Sequence, residues 1–174
     1  MAIRSVVVVV RALAVGAALM AGGCGTWPKD LNVRLDPGTQ EAGMYPSVDV
    51  HLIGVRRSEL QRLKKLSVNE YWSPGGESRQ AMAARKELFL GPGATSKTVS
   101  RSDPVWKLWN GKDRPYLLVL ADLRGVSDPA AGTDDPRRVV LPLDKARWPT
   151  GTKEIRLTVR RDRVQVDTPP KPKE

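Results

Sequence analysis

The sequence predicts an all-β fold: an antiparallel β-sandwich of about seven or eight short strands with one short helical insertion. Three observations lead there. Apolar residues alternate with polar ones in short runs, the period of two expected of half-buried strands. Turn signals rich in glycine, proline, asparagine and aspartate separate the runs. Only around Ser58 to Leu66 does the spacing become near-helical.

Leu31, Val33 and Leu35 alternate with Asn32, Arg34 and Asp36, and Asp36-Pro37-Gly38 ends this first strand. A loop runs to Pro46, which lacks a donor and so suits the mouth of the next strand. From Ser47 to Arg56, Val48, Val50 and Leu52 face one side and Asp49, His51 and Ile53 the other. His51 is the only histidine. With no second histidine and no cysteine near it, it reads as a solvated or hydrogen-bonded strand residue, not a metal ligand or base.

Ser58 is placed to cap a helix with Gln61 in capping-box position, and Leu60, Leu63 and Leu66 recur beside Arg62, Lys64 and Lys65. A short helix and a pair of turns both fit. Its basic face suits solvent, lipid or a partner. Tyr71 and Trp72, ahead of Ser73-Pro74-Gly75-Gly76, are either a cap on the core or an exposed contact. Ser78 to Arg85 contains helix formers but is too short to stand without packing.

Lys86 to Leu90 reads as a strand, closed by Gly91-Pro92-Gly93 and followed by a second β-rich run from Thr95 to Ser100. Val105 to Trp109 fits either an edge strand or an aromatic plug at one end of the core, with Asn110-Gly111 as a tight turn after it. Pro115 to Leu123 is apolar on both faces, as a central strand covered on each side should be. In the polar loop from Gly125 to Pro136, Asp134 and Asp135 have no other ligand type nearby and read as a solvated turn. Val139, Leu141 and Leu143 alternate again. Ile155, Leu157 and Val159 then pair as a hairpin with Val164 and Val166, leaving Arg156, Thr158 and Gln165 outward. Thr168 to Glu174, with three prolines, reads as a frayed tail.

The start of the chain carries a localisation signal. Arg4 and Arg11 form a positive n-region, Ala12 to Ala21 a short apolar core, and Ala21-Gly22-Gly23 lead into Cys24. Arg11 interrupts the apolar run, leaving about half of the roughly 20 residues a bilayer-spanning helix needs. This is the layout of a bacterial lipoprotein signal, residues 1–23, cut before a lipidated Cys24. The freed cysteine then carries acyl chains, palmitate among them, that hold the mature protein on a membrane. Gly25 follows in place of the aspartate that usually retains such proteins at the inner membrane, so sorting to the outer membrane, facing the periplasm, is expected. Residues 24–30 serve as lipidated cysteine and tether, 31–168 as the sandwich domain, and 169–174 as a disordered tail.

About 150 residues remain after the signal, the size of one domain. Cys24 is the only cysteine, so no disulfide supports the fold. The net charge is +10, of which Arg4 and Arg11 supply two. Such a balance serves anionic lipid, an acidic protein or nucleic acid, the last the poorest fit for an exported chain. Arg56, Arg57, Lys64, Lys65, Arg137, Arg138, Arg160, Arg161 and Arg163 come in scattered groups, as cations decorating outward strand faces would.

No nucleophile with a base, cysteine-histidine cluster, phosphate loop or nucleophile elbow is present, so no enzyme, metal site or cofactor is expected beyond the lipid on Cys24. A sandwich on a lipid anchor suits holding another protein through its end loops or a sheet edge.

The chain resembles the outer-membrane lipoproteins of type VI secretion systems, the TssJ family, from about Leu31 to Val166. The likeness rests on the lipoprotein cysteine, the Pro-Ser strand opening in Met44-Tyr45-Pro46-Ser47-Val48-Asp49-Val50-His51-Leu52, the strand and turn Leu88-Phe89-Leu90-Gly91-Pro92-Gly93, and the apolar run from Pro115 to Arg124. It implies a transthyretin-like sandwich that binds the periplasmic domain of an inner-membrane TssM-type protein. The family's loop between the first two strands corresponds to Pro37 to Pro46 and nominates Gln40, Glu41, Met44 and Tyr45 for that contact. The alternative is a periplasm-facing lipoprotein holding a peptide, glycan or small ligand in a concave pocket, with Trp72, Trp106 and Trp109 as candidate lining.

Overall fold

The computed structural model describes residues 29–82, 84–110, 113–130 and 134–172. The signal segment, Cys24, most of the tether, Ala83, Gly111 and the last two residues lie outside them.

Among the described residues, eight strands form two four-stranded sheets packed face to face. One sheet has the order β4 (Ser96–Val99), β1 (Asp30–Leu35), β7 (Glu154–Val159), β8 (Val164–Val166). The other runs β3 (Arg85–Leu90), β2 (Val48–Val55), β5 (Tyr116–Ala121), β6 (Arg138–Pro142). The expected sandwich is therefore present. One pairing departs from the antiparallel expectation: β1 and β7 run parallel, with Asp30 opposite Glu154 and Leu35 opposite Val159. The cause is the route of the chain, which returns from β6 at the same end from which β1 sets out.

The alternation read from the sequence becomes the core. Leu31, Val33 and Leu35 of β1 meet Val48, Val50 and Leu52 of β2 and Ile155, Leu157 and Val159 of β7 between the sheets. Burying such aliphatic side chains stabilises the fold by about 1.5–3 kcal/mol each. β5 is central and covered on both faces. Leu117, Val119 and Ala121 join this core, while Leu118 and Leu120 join a second one on the far side.

Helices cover that far side. Instead of a single helical insertion there are three short ones between β2 and β3: α1 (Arg57–Lys64), α2 (Val68–Trp72) and α3 (Glu77–Gln80). Leu63, Val68 and Tyr71 pack on Ile53, Val55, Leu118 and Leu120, with Leu60 and Leu66 at the margin. The cap is not the expected Ser58. Arg56 is the N-cap residue, and the Glu59 carboxylate accepts its backbone N–H at 3.1 Å.

Val105–Trp109 is a helix, α4, not an edge strand. Asp103 starts it by accepting the Val105 N–H at 2.9 Å. It is the aromatic plug: Trp106 and Trp109 are buried, meet edge to face with centroids 4.9 Å apart, and donate their indole N–H groups to Ser100 and Ala84 carbonyls. Gly54 makes room for it, since a Cβ there would lie 2.6 Å from the Trp109 ring.

The described part of the segment expected to fray, as far as residue 172, returns to the body. Lys171 and Arg147 exchange hydrogen bonds, Lys171 N–H to the Arg147 carbonyl at 2.6 Å and an Arg147 guanidinium N–H to the Lys171 carbonyl at 2.8 Å. Thr158 lies on the outer face, as expected, but is covered there: its hydroxyl donates to Asp167 and accepts from the Arg34 guanidinium at 3.0 Å.

Candidate functional site

The strand registers sort the connections to two ends. At one, the loop end, lie the β1–β2, β3–β4, β5–β6 and β7–β8 connections. At the other, the entry end, Lys29 and Asp30 lead into the body beside the start of β7 and the last residue of β4.

The β1–β2 loop, which holds the four nominated residues, is firmly built. Asp36 accepts the Gly38 N–H at 3.0 Å and starts a single 3-10 turn at Pro37–Thr39. Further on, Glu41 and Met44 exchange two backbone hydrogen bonds of 2.9 Å around Ala42 and Gly43, whose φ angles are 50° and 79°. Positive φ at both central residues marks a tight primed turn. Ala42 holds it without the freedom of glycine, at a cost of about 1 kcal/mol.

Two arginines of the β7–β8 turn brace this loop. Arg161 donates to the carbonyls of Gly38 at 3.1 Å and Gln40 at 2.8 Å. Arg160 lies 3.3 Å from the Asp36 carboxylate. Gln40, Glu41 and Met44 are thereby held outward, Met44 with 65% of its surface exposed. Tyr45 is different: it is half-buried and packs on the main core, an anchor for the loop. Phe89, 56% exposed on β3 two residues before the Gly91–Ala94 turn, adds an apolar surface toward the same end.

The β5–β6 loop is held by a cluster whose residue pattern suggests a solvated turn. Arg137 is 2% exposed, and Asp135 is buried with it; neither is a surface group. The guanidinium takes Asp135 through two N–H groups, at 3.0 and 2.7 Å, and also donates to Asp128, to Asn69 of α2 and to the Val126 carbonyl. Burial alone would lower the Arg137 pKa, but hydrogen bonds and charge from Asp135, then Asp128, raise it. Against its own partial burial, Ser67, the Asn69 N–H and Arg137 hold Asp128 below the usual carboxylate range. Nothing in the pattern Asp135-Pro136-Arg137 separates this buried pair from a solvated turn.

His51 is hydrogen-bonded, one of the two states expected of it, and buried at 5% exposure. Its Nδ1 is 2.7 Å from the Tyr71 hydroxyl, Trp72 lies against its ring at 4.4 Å, and Glu87 approaches Nε2 at 3.8 Å. Burial pushes its pKa down to about 4; Glu87 opposes this, and Arg85 and Arg79 add to it. Burial likewise raises the Tyr71 hydroxyl to about 12. The pair is neutral at neutral pH and ties α2 to β2. Beside it is an open depression of about 460 Å³ lined by Asp49, Trp72, Arg79, Arg85 and Glu87. Trp106 and Trp109 are committed to the core and do not line it, so the three tryptophans do not share one pocket.

No family model and no curated protein matches the chain. Solved structures do. A chain in the structure described as the C-terminal domain of the T6SS protein TssM from EAEC aligns with 80% of this chain and 99% of its own, at 19% identity and a TM-score of 0.53. A chain of a type VI membrane complex aligns with 79% of this chain and 95% of its own, at 17% identity and a TM-score of 0.53. The likeness is one of fold. The T6SS lipoprotein of Pseudomonas aeruginosa aligns more loosely, over 84% of this chain and all of its own, at 12% identity and a TM-score of 0.45.

Proposed function

We propose that the chain is a type VI secretion lipoprotein of the TssJ kind, fastened to the outer membrane through Cys24, which binds the periplasmic domain of a TssM-type inner-membrane protein. The observation that carries this reading is the braced turn at Glu41–Met44. It is a rigid, apolar-tipped projection at the loop end, opposite the end where Lys29 enters, so an anchored domain presents it away from the membrane. A preorganised loop loses little entropy on binding, and an exposed methionine adapts to a partner's surface. The lipoprotein signal and the shared fold agree with this reading. It assigns the chain no catalysis.

The test is a pull-down with residues 25–174. The expected result is recovery of one inner-membrane protein through its periplasmic region, weakened tenfold or more by Met44→Asp with no change in melting temperature. Recovery of glycan or peptide alone would instead favour the ligand-binding reading. Cys24→Ser is expected to release the domain from the membrane fraction without unfolding it.

A further inference from the structure

The two ends of the sandwich treat their cations differently. At the loop end most are tied to the protein: Arg137 is buried against Asp135, Arg160 faces Asp36, Arg161 holds two carbonyls and Arg163 lies 3.8 Å from Asp162, with Arg124 left exposed. At the entry end, Arg57, Arg101, Lys107, Lys145 and Lys153 are all exposed, and none takes part in an ion pair among the described residues. Of the acidic groups beside them, Asp113 pairs with Arg56, Asp103 with Lys86 and Asp144 accepts the Ala146 N–H, while half-buried Glu154 follows Lys153 in the chain.

The registers place these five cations together. Lys153 precedes β7, and its carbonyl accepts the Asp30 N–H. Arg101 follows β4 and donates its backbone N–H to the Asp30 carboxylate at 2.7 Å. Arg57 follows β2, Lys107 lies on α4 between β4 and β5, and Lys145 follows β6. Next to Lys107, Leu108 is 52% exposed, a large apolar side chain turned outward among the charges. Lys29 enters here too, and burial with the nearby Lys145 lowers its pKa, as crowded positive charge should.

We infer that this entry end docks directly on an anionic phospholipid surface, its five free cations on headgroup phosphates and Leu108 among the glycerol and upper acyl carbons. Free cations around one apolar side chain match that interface, which rewards both. Each cation near an anionic leaflet strengthens binding about fivefold, and salt weakens all of them together. Contact here sets the sandwich upright, so that Met44 points away from the bilayer. A lipid tail alone would fix distance but not orientation. The inference does not depend on the identity of the protein partner.

The buried residues of both cores lie between Leu31 and Val164, with Val166 packed at the margin, so residues 25–174 hold every core residue described and are expected to fold without the signal. This lipid-free chain is expected to co-sediment with vesicles containing about one-third phosphatidylglycerol at low salt, to ignore phosphatidylcholine vesicles, and to dissociate in about 0.5 M salt. Reversing Lys107, Lys145 and Lys153 to Glu should weaken binding at least 100-fold. The same charge change as Lys97→Glu, Arg124→Glu and Arg163→Glu at or near the loop end should weaken it less than tenfold. Equal losses in the two triple variants, or no binding to anionic vesicles, would overturn the proposal. Position gives a second readout that needs no charge change. An environment-sensitive dye on Leu108→Cys should shift to the blue on anionic vesicles while one on Met44→Cys does not, and the reverse pattern would refute the orientation.

Discussion

Arg161 stands 121 residues from Gln40 in the chain, yet its guanidinium donates to the Gln40 carbonyl at 2.8 Å, so the shape of the first loop depends on the last turn. Arg161→Ala should therefore loosen Gln40 to Met44 without unfolding the core. Amide exchange at Glu41 and Met44 should rise by an order of magnitude or more, while the melting temperature falls by only a degree or two, because the contact is exposed. Unchanged exchange at those two amides would show that the turn stands without the arginine.

Gly54→Ala should be costly out of proportion to one methyl group. The new Cβ meets both the ring and the backbone of Trp109, and neither has anywhere to move inside the plug. Overpacking of this kind costs about 1–3 kcal/mol, read as a lower denaturant midpoint with an unchanged slope.

Arg137→Met should destabilise by about 3–5 kcal/mol, since it leaves Asp135 buried without its countercharge. Adding Asp135→Asn should restore part of that loss. A single variant as stable as the parent would mean that water or another group takes over Asp135.

The acid response should show a component from His51. Folded, it resists protonation until about pH 4, against an ordinary value of 6.5, so the unfolded chain binds the extra proton first as pH falls. Its stabilising contribution is complete above pH 6.5 and lost progressively down to about pH 4, up to about 3 kcal/mol in all. Tyr71, Glu87, Arg85 and Arg79 surround it, so mutation of Arg85 should reduce the effect. His51→Gln should flatten the stability profile between pH 4.5 and 7; a profile as steep as the parent's would assign the effect to carboxylates.

What the sequence revealed and what it concealed divide along physical lines. Strand faces follow a period of two, so the alternation alone places Leu31, Val33, Leu35, Val48, Val50 and Leu52 in the core, and an unbroken apolar run marks β5 as buried on both faces. Tertiary charge pairing has no period. Arg137 has the look of a surface cation beside Asp135, and only the fold brings Asn69 and Val126 around it. The α4 plug is ambiguous in sequence because five apolar and basic residues fit either state, and the packing of both tryptophans into the core decides it. In the nominated loop, Met44 and Tyr45 are neighbours in the sequence, yet one is a tip and the other a root; the positive φ angles at Ala42 and Gly43 separate them.

The parallel seam between β1 and β7 bears on when the protein can fold at all. Arg34 and Thr158, joined across it by a hydrogen bond, are 124 positions apart, so the first strand waits for almost the whole polypeptide before it has a neighbour on that side. Closing so long a segment is slow. For a chain proposed to pass through a translocation channel as an extended thread, that delay is an advantage: the ribosome and the channel can finish before the domain knots itself shut.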